Sequence, residues 1–297
     1  MANLKEVKNR IVSIKSTQQI TSAMKMVAAA KLRKAQDKVI KLRPYSIRLS
    51  GILSNVSAGL DGGSDNIYGA EREIRNVLLV VVSSDRGLCG SFNSNIFKKT
   101  VSLVKKKYAH IEQGGGLYIL PIGKRSLEFF KKRKYQVIED YSGLFRDLTF
   151  DNVKAAAENA MSGFVNGDYD QIELIYNEFK NVATQILKVE QFLPIVENDE
   201  TKANTDTSSV DFIFEPSQEY VVNEIIPKSL KIQFYKAVLE SNASEHGARM
   251  SAMDQATENA GDLLKELKLT YNRTRQAAIT KEILEIVGGA EALAASN

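Results

Sequence analysis

Long stretches without proline at both ends of the chain constrain the fold more than any other feature of the sequence. Residues 1–43 and 228–297 contain no proline, and all five prolines of the 297-residue chain lie between these stretches. Because proline removes a backbone donor and breaks helices, both end segments can form long, uninterrupted helices. At 1.5 Å per residue they would reach about 65 Å and about 105 Å, which exceeds the diameter of a domain of this size.

Both end segments carry a heptad pattern, which is typical of a coiled coil. In the first segment the apolar stripe contains Leu4, Val7, Ile11, Ile14, Ala28, Leu32, Ala35, Val39 and Leu42. The stripe is interrupted by three polar residues, Gln18, Thr21 and Lys25. Either the apolar stripe rotates locally onto Ile20, Met24 and Val27, or the helix faces different partners along its length.

The second stripe is rich in small residues. It contains Met253, Ala256, Ala260, Leu263, Leu267, Thr270, Thr274, Ala277 and Leu284. A helix this long needs a partner that the middle of the chain cannot supply, so the two ends are predicted to form a long antiparallel two-helix coiled coil, with the C-terminal helix extending beyond its partner. The alternative is a pair of ordinary helices within an α/β domain, although helices in globular proteins average only about 11 residues.

Strands and helices alternate in the middle of the chain. Strands are predicted over 77–83, 117–122, 135–138, 171–176 and 186–195, and helices over 92–107, 125–132 and 153–165. This alternation predicts a small doubly wound, mostly parallel, Rossmann-like α/β domain, with the last two strands forming a hairpin around residues 180–184. The chain then divides into an N-terminal coiled-coil helix (1–58), the α/β domain (74–196), an acidic polar loop (197–211) and a C-terminal coiled-coil helix (212–297).

Charge and composition exclude several classes of protein. The first 50 residues hold twelve basic and two acidic side chains, a net charge of +10, so the other 247 residues carry −6, and we assign the basic character to the N-terminal helix alone. Nucleic-acid binding is disfavoured because the cations surround the helix and no aromatic residue precedes Tyr45. No apolar run is long enough for a membrane span, the single Cys89 allows no internal disulfide, and His110 and His246 have no metal-ligand spacing and are expected to be exposed.

The segment SSDRGLCGSFN, residues 83–93, follows the first predicted strand, where nucleotide-binding domains place their phosphate loop. It lacks both the G-x-G-x-x-G pattern and a Walker lysine. A tight turn in which Asp85 and Arg86 make structural or partner contacts is therefore favoured, and an anion cradle at Gly87 and Gly90 is the alternative. Cys89 is expected to be a small buried thiol, and the sequence offers no catalytic constellation.

Three blocks of the sequence resemble the γ subunits of F-type ATP synthases. They are LKEVKNRIVSIKSTQQITSAMKMVAAAKLRKAQ near the start, SSDRGLCGSFN in the middle, and ASEHGARMSAMDQATENAGDLLKELKLTYNRTRQAAITKEILEIVGGAEAL at the end. The resemblance implies a central rotor shaft that couples proton flow through the membrane sector to ATP synthesis or hydrolysis. Such a shaft has no catalytic site of its own and binds no cofactor or metal, since ATP, ADP and Mg²⁺ act on the β subunits. The implied partners are three α subunits, three β subunits, the ε subunit and the membrane c-ring, and no nucleic acid.

The resemblance also implies roles for individual residues. Met24, Arg249, Gln276 and Thr280 match positions that couple the shaft to the α/β ring, and the central-stalk turn motif consists of Asp85, Arg86, Gly87 and Gly90. With Cys89 alone, the chain lacks the cysteine pair of the chloroplast members. The acidic run 197–211 has no match in the family pattern. A start directly at the shaft favours a bacterial subunit, peripheral at the cytoplasmic face of the inner membrane.

Two other classes of function remain as alternatives. The first is a nucleotide-binding enzyme or switch that uses Gly87 and Gly90 and dimerises through its coiled coil. The second is a nucleic-acid adaptor that binds through residues 1–50.

Overall fold

The structure, a computed structural model, describes residues 4–59, 67–70, 72–195 and 220–295. The chain forms two compact units, one made of Met1–Val27 with Met250–Asn297 and the other of Ala28–Arg249. Helices α1 (Leu4–Gly59) and α6 (Ile226–Ala295) each contribute residues to both units. The acidic loop predicted over 197–211 lies outside the described residues.

Between α1 and the final strand, the described residues form eight helices and strands and one helical turn. In chain order they are β1 (Val77–Val82), α2 (Phe92–Lys107), α3 (Ala109–Gln113), β2 (Leu117–Ile122), α4 (Lys124–Lys132), β3 (Gln136–Val137), a 3-10 turn (Leu144–Arg146), α5 (Phe150–Asn166) and β4 (Gln171–Phe179). The final strand is β5 (Gln185–Leu193), and a π-helical turn (Val221–Ile225) leads into α6. Every strand and helix predicted within the α/β domain is present within three residues of its expected bounds. The C-terminal helix was predicted to begin at residue 212, and α6 begins at Ile226; residues 212–219 lie outside the described residues.

The sheet confirms the predicted fold class. Its strand order is β3-β2-β1-β4-β5, and all pairs are parallel except the antiparallel β4–β5 pair. The turn of that hairpin is held by Asn181, whose side-chain oxygen accepts hydrogen bonds from the backbone N–H groups of Ala183 (3.0 Å) and Thr184 (2.7 Å). Since β2 and β4 flank β1 on opposite sides, the connections reverse at β1, and the turn that follows β1 lies at this switch point.

The central strand β1 is apolar at every position because both faces of the sheet are covered. Leu78, Val80 and Val82 pack against α5 and the start of α6. The alternate residues Val77, Leu79 and Val81 pack against α2 and α3. Two layers of helices therefore hold the carboxyl end of β1, and with it the turn over residues 83–93, in a fixed position.

Helix α1 continues through Pro44, which lies inside the range 1–58 predicted for this helix. Proline lacks the N–H that would bond the carbonyl four residues earlier, and such a loss is tolerated where that carbonyl can be hydrated. Pro44 is exposed, and Ile40, which carries this carbonyl, is 64% exposed. The helix therefore continues to Gly59.

In the unit formed by the two ends of the chain, the polar positions stay within the helix–helix seam. The Thr257 hydroxyl lies 2.8 Å from the Thr21 hydroxyl, and Lys25 Nζ lies 2.6 Å from the Asp254 carboxylate. Ile20 and Val27 are instead 60% and 57% exposed. The hypothesis that the apolar stripe rotates onto Ile20, Met24 and Val27 is therefore wrong, because cross-helix hydrogen bonds satisfy the polar residues where they are.

Six of the nine predicted seam positions of α6 are not exposed: Met253, Ala260 and Leu267 are buried, and Ala256, Leu263 and Thr274 are half-buried. The other three, Thr270, Ala277 and Leu284, are exposed. From Ala260 onward the seam includes residues one place later than predicted, since Leu264 is buried and Tyr271 and Ala278 are half-buried. In an α-helix, the residue four positions after a seam residue lies about 40° beyond a full turn, whereas the residue three positions after it lies about 60° short of one. The residue four positions later therefore lies nearer the seam.

Beyond Ala278 every side chain is exposed as far as Glu291, and Leu284, predicted on the seam, is 65% exposed. The longer C-terminal helix was expected to extend beyond its partner, and this exposure agrees with that expectation. Along the described residues, no helix combines the length and the apolar character that crossing a bilayer requires.

Candidate functional site

The turn between β1 and α2 is closed by its own side chains. The Ser84 N–H donates to Asn93 Oδ1 (3.0 Å), Asn93 Nδ2 donates to Ser84 Oγ (2.7 Å), and Ser84 Oγ donates to the Arg86 carbonyl (2.7 Å). Ser84 is fully buried. The turn is therefore a preformed element, and the sequence analysis did not single out Asn93 as the residue that closes it.

The same turn is joined to the start of α4. The Asp85 carboxylate accepts a hydrogen bond from the Lys124 N–H (3.1 Å), and Ser83 Oγ accepts one from the Ser126 N–H (2.8 Å). Both N–H groups belong to the first turn of a helix, where they have no partner within the helix and where a carboxylate is favourable. Asp85 therefore has the structural role that the sequence analysis allowed for it.

Arg249 lies 162 positions along the chain from Gly87 and yet contacts this turn. Its guanidinium donates to the carbonyls of Gly87 and Arg86, the latter at 3.2 Å, and to the Glu245 carboxylate at 2.6 Å. Glu245 is 7% exposed, and burial raises the pKa of its carboxyl group. The structure thus brings together Arg249 and the turn motif, two predicted sites that no sequence pattern connects.

Cys89 lies beneath the turn and is 1% exposed. Asn93 Nδ2 donates to its sulfur at 3.3 Å, and burial raises the pKa of the thiol above its ordinary value. The group is therefore a protonated thiol at neutral pH, as expected for a small buried cysteine rather than a nucleophile.

The tip of the turn faces solvent. Arg86, Leu88 and Gly90 are exposed, and Leu88 is 65% exposed with a φ of 64°. The carbonyls of Arg86 and Gly87 point at a cation, whereas a phosphate cradle requires inward-facing N–H groups. The contacts of these carbonyls with Arg249 therefore argue against an anion cradle at Gly87 and Gly90.

His246 differs from its prediction, whereas His110 is exposed as expected. His246 is half-buried, its Nδ1 has no hydrogen-bond partner among the described residues, and burial with the nearby cations Lys31 and Arg249 lowers its pKa to about 4. It was expected to be exposed because it lies in a charged helical segment, but it lies near Arg249, which contacts the turn.

The other predicted coupling residues belong to the unit formed by the two ends of the chain. Met24 is half-buried there, and Gln276 and Thr280 are exposed. Within the described ranges, no group of three or more His, Cys, Asp or Glu side chains is arranged to hold a metal ion.

The chain carries a second concentration of positive charge, which was not among the predicted features. Residues 98–134 contain eleven Lys and Arg but only two acidic residues, Glu112 and Glu128. The assignment of basic character to the N-terminal helix alone is therefore wrong. Averaging the charge over 247 residues concealed this region, and a shorter window would have revealed it.

The chain belongs to the class of α/β proteins. It combines a five-stranded, mostly parallel sheet with two long helices from the opposite ends of the chain. A family model described as ATP synthase matches residues 3–293. An ATP synthase gamma chain from the bacterium Cytophaga hutchinsonii is 58% identical over 293 residues, which cover 99% of each chain. The chain therefore belongs to the ATP synthase gamma chain family.

Solved structures agree with this fold. One chain of a Tetrahymena thermophila mitochondrial ATP synthase, from a structure of the central stalk and c-ring, is 27% identical with a TM-score of 0.56, and the match covers 80% of this chain and 99% of that one. Another, from the Euglena gracilis mitochondrial ATP synthase, is 21% identical with a TM-score of 0.66, covering 99% and 95%.

Proposed function

We propose that this chain is the central rotating shaft of an F-type ATP synthase and couples proton flow through the membrane sector to ATP synthesis or hydrolysis at the α/β catalytic ring. The observation that carries the proposal is the 58% identity to an ATP synthase gamma chain over nearly the whole length of both proteins. In this role the chain is a component of an enzyme and performs no catalysis itself.

The seam between the terminal helices supports such a role. Thr21 and Thr257 meet across it at 2.8 Å, and Lys25 Nζ lies 2.6 Å from the Asp254 carboxylate. Contacts of this kind oppose sliding of one helix past the other, so that the two helices can turn together as one rod. The exposed Gln276 and Thr280, with the half-buried Met24, are the residues through which we propose that the shaft contacts the surrounding loops.

The turn over residues 83–93 supplies a second proposed contact with the ring. The Arg249 guanidinium donates to the Arg86 and Gly87 carbonyls. The side chains of Arg86 and Leu88 remain exposed. A cation beside an apolar side chain on a rigid turn fits a partner loop that carries acidic and apolar residues.

The proposed assembly contains three α subunits, three β subunits, the ε subunit and the membrane c-ring. It places this chain at the cytoplasmic face of a bacterial inner membrane, as a peripheral subunit that contacts no nucleic acid. We propose that the chain binds no cofactor, because ATP, ADP and Mg²⁺ would act on the β subunits.

Co-expression with the α and β subunits of a bacterial F-type ATP synthase tests the proposal. We expect one copy of this chain to copurify with three α and three β subunits, and ATP hydrolysis to exceed that of an α/β preparation made without it. A chain that remains separate and leaves hydrolysis unchanged contradicts the proposal. Equilibrium dialysis of the isolated chain with ATP and with NAD completes the test, since micromolar binding of either would favour a nucleotide-binding enzyme.

A further inference from the structure

A groove of about 570 Å³ lies between α2 and α4, on the face of these helices that points away from the sheet. Its floor is apolar and consists of Phe97, Val101 and Phe129. Pockets that bind ligands or side chains have volumes of this order and are mostly apolar with a few polar groups at the edge.

The floor of the groove is fixed by aromatic packing. The Phe97 and Phe129 rings stack with their centroids 4.2 Å apart, and Phe130 beneath them meets both rings edge-on. The Arg133 guanidinium carbon lies 3.6 Å from the centroid of the Phe129 ring. Because these contacts are made within the chain itself, binding would require little rearrangement of the floor.

The rim of the groove carries positive charge only. Lys98, Lys105, Lys106 and Arg133 line it, and no carboxylate does. The three lysines are exposed and form no ion pair with any residue that the structure describes. Lysines that pair with no described carboxylate, around an apolar floor, are complementary to a ligand that has an apolar centre and acidic edges.

We propose that the α2–α4 groove binds an acidic, amphipathic helix of a partner protein. One apolar face of that helix would lie on Phe97, Val101 and Phe129, with its carboxylates against the rim cations, in the helix-in-groove mode of recognition. The α2 residues that line the groove run from Ser94 to Lys106, about 18 Å, which is long enough for about three turns of a bound helix. A flat anionic lipid surface could reach the rim cations but not the aromatic floor, so the concave shape favours a polypeptide.

The test uses the full chain and a fluorescent 18-residue peptide with leucine at i, i+3, i+4 and i+7 and glutamate at its other positions. We expect fluorescence anisotropy to give a micromolar Kd that rises with salt, since the contacts with the rim are screened. A chain carrying Lys98→Glu, Lys105→Glu and Arg133→Glu should bind at least tenfold more weakly. Val101→Asn, which leaves every charge in place, should also weaken binding.

A matched control makes the same change of charge elsewhere. Lys34→Glu, Lys41→Glu and Arg48→Glu replace three exposed cations of α1 and should leave the Kd within twofold of the original. Thermal melts of each variant identify any that has lost its fold.

Three results would overturn the proposal. The first is equal binding of a peptide in which lysine replaces every glutamate, and the second is an equal loss of binding in the α1 control. The third is binding of phosphatidylglycerol vesicles through Lys98, Lys105 and Arg133 without any binding of the acidic peptide, which would identify the groove region as a lipid contact.

Discussion

Glu240 is a buried carboxylate whose hydrogen-bond donors allow the effect of substitutions on stability to be predicted. Its side chain is fully buried and accepts hydrogen bonds from Arg43 Nε (2.8 Å), Arg43 Nη2 (3.0 Å) and the Phe179 N–H (3.0 Å). Arg43 also donates to the Phe179 carbonyl at 2.7 Å. One ion pair therefore joins α1, α6 and the end of β4.

We expect Arg43→Met to lower the free energy of unfolding by about 3 kcal/mol, because it leaves the Glu240 charge buried without its cation. Glu240→Gln should cost less, about 1 kcal/mol, because the amide oxygen can still accept a hydrogen bond and the partly exposed Arg43 can remain hydrated. Urea unfolding of the two variants and of the double variant measures both effects. Equal losses in the single variants, summing in the double variant, would contradict this account of the pair.

The lowered pKa of His246 predicts that the stability of the folded chain depends on pH. Its pKa is about 4 in the folded chain, against 6.5 for the free side chain, so between these values the unfolded chain binds a proton that the folded chain does not. Stability should therefore fall as the pH is lowered from 6.5 to 4. We expect the Tm of His246→Gln to fall less than that of the original chain between pH 7 and pH 4.5.

Glu245 acts in the opposite sense, since burial raises its pKa and the folded chain then binds the extra proton. Its effect is common to both proteins and cancels in the comparison. Parallel curves of Tm against pH for the two proteins would show that His246 contributes nothing.

At the scale of elements, the turn from β2 into α4 depends on Gly123. Its φ is 102°, a conformation that side chains with a Cβ rarely adopt, and an added Cβ would lie 2.3 Å from the Ser83 carbonyl oxygen. We expect Gly123→Ala to lower the free energy of unfolding by about 2 kcal/mol or more, measured by urea unfolding. Gly143→Ala is the matched control, because an added Cβ there meets nothing within 4 Å and the expected change is within about 0.5 kcal/mol.

The elements that could be predicted are those with a strong local signal. The apolar run of β1 and the heptads of α1 and α6 gave the fold class directly. Helix α3 was missed because five residues are too few to establish a period. The sequence could not show that Thr21 stays in the helix–helix seam, because its partner Thr257 lies 236 positions away.

The candidate site was only partly accessible for the same reason. The residues of the turn could be identified from their place after β1 and from family resemblance. The contact of Arg249 with that turn depends on the packing of α6, which no local pattern records. The burial of His246 is likewise a property of tertiary structure, since its neighbours in sequence are mostly polar or small.

At the scale of the whole molecule, Met24→Lys tests the proposed coupling role. We expect the complex to assemble and hydrolyse ATP but to pump fewer protons per ATP, because a second cation beside Lys25 would form attractions with the surrounding ring that rotation must break. Proton uptake and ATP hydrolysis measured together in inverted membrane vesicles give this ratio. Met24→Leu, which preserves the size and lacks the charge, should leave the ratio unchanged, and an unchanged ratio in Met24→Lys would count against the role.

The attachments of the turn over residues 83–93 determine how it would respond to force. It is fixed to α4 through Asp85, to α2 through Asn93 and to α6 through Arg249. A force on the exposed Leu88 would therefore be shared among three helices. A loop attached only at its two ends would instead bend under the same force. A torque applied at Leu88 would therefore be transmitted to the body of the protein with little bending of the turn.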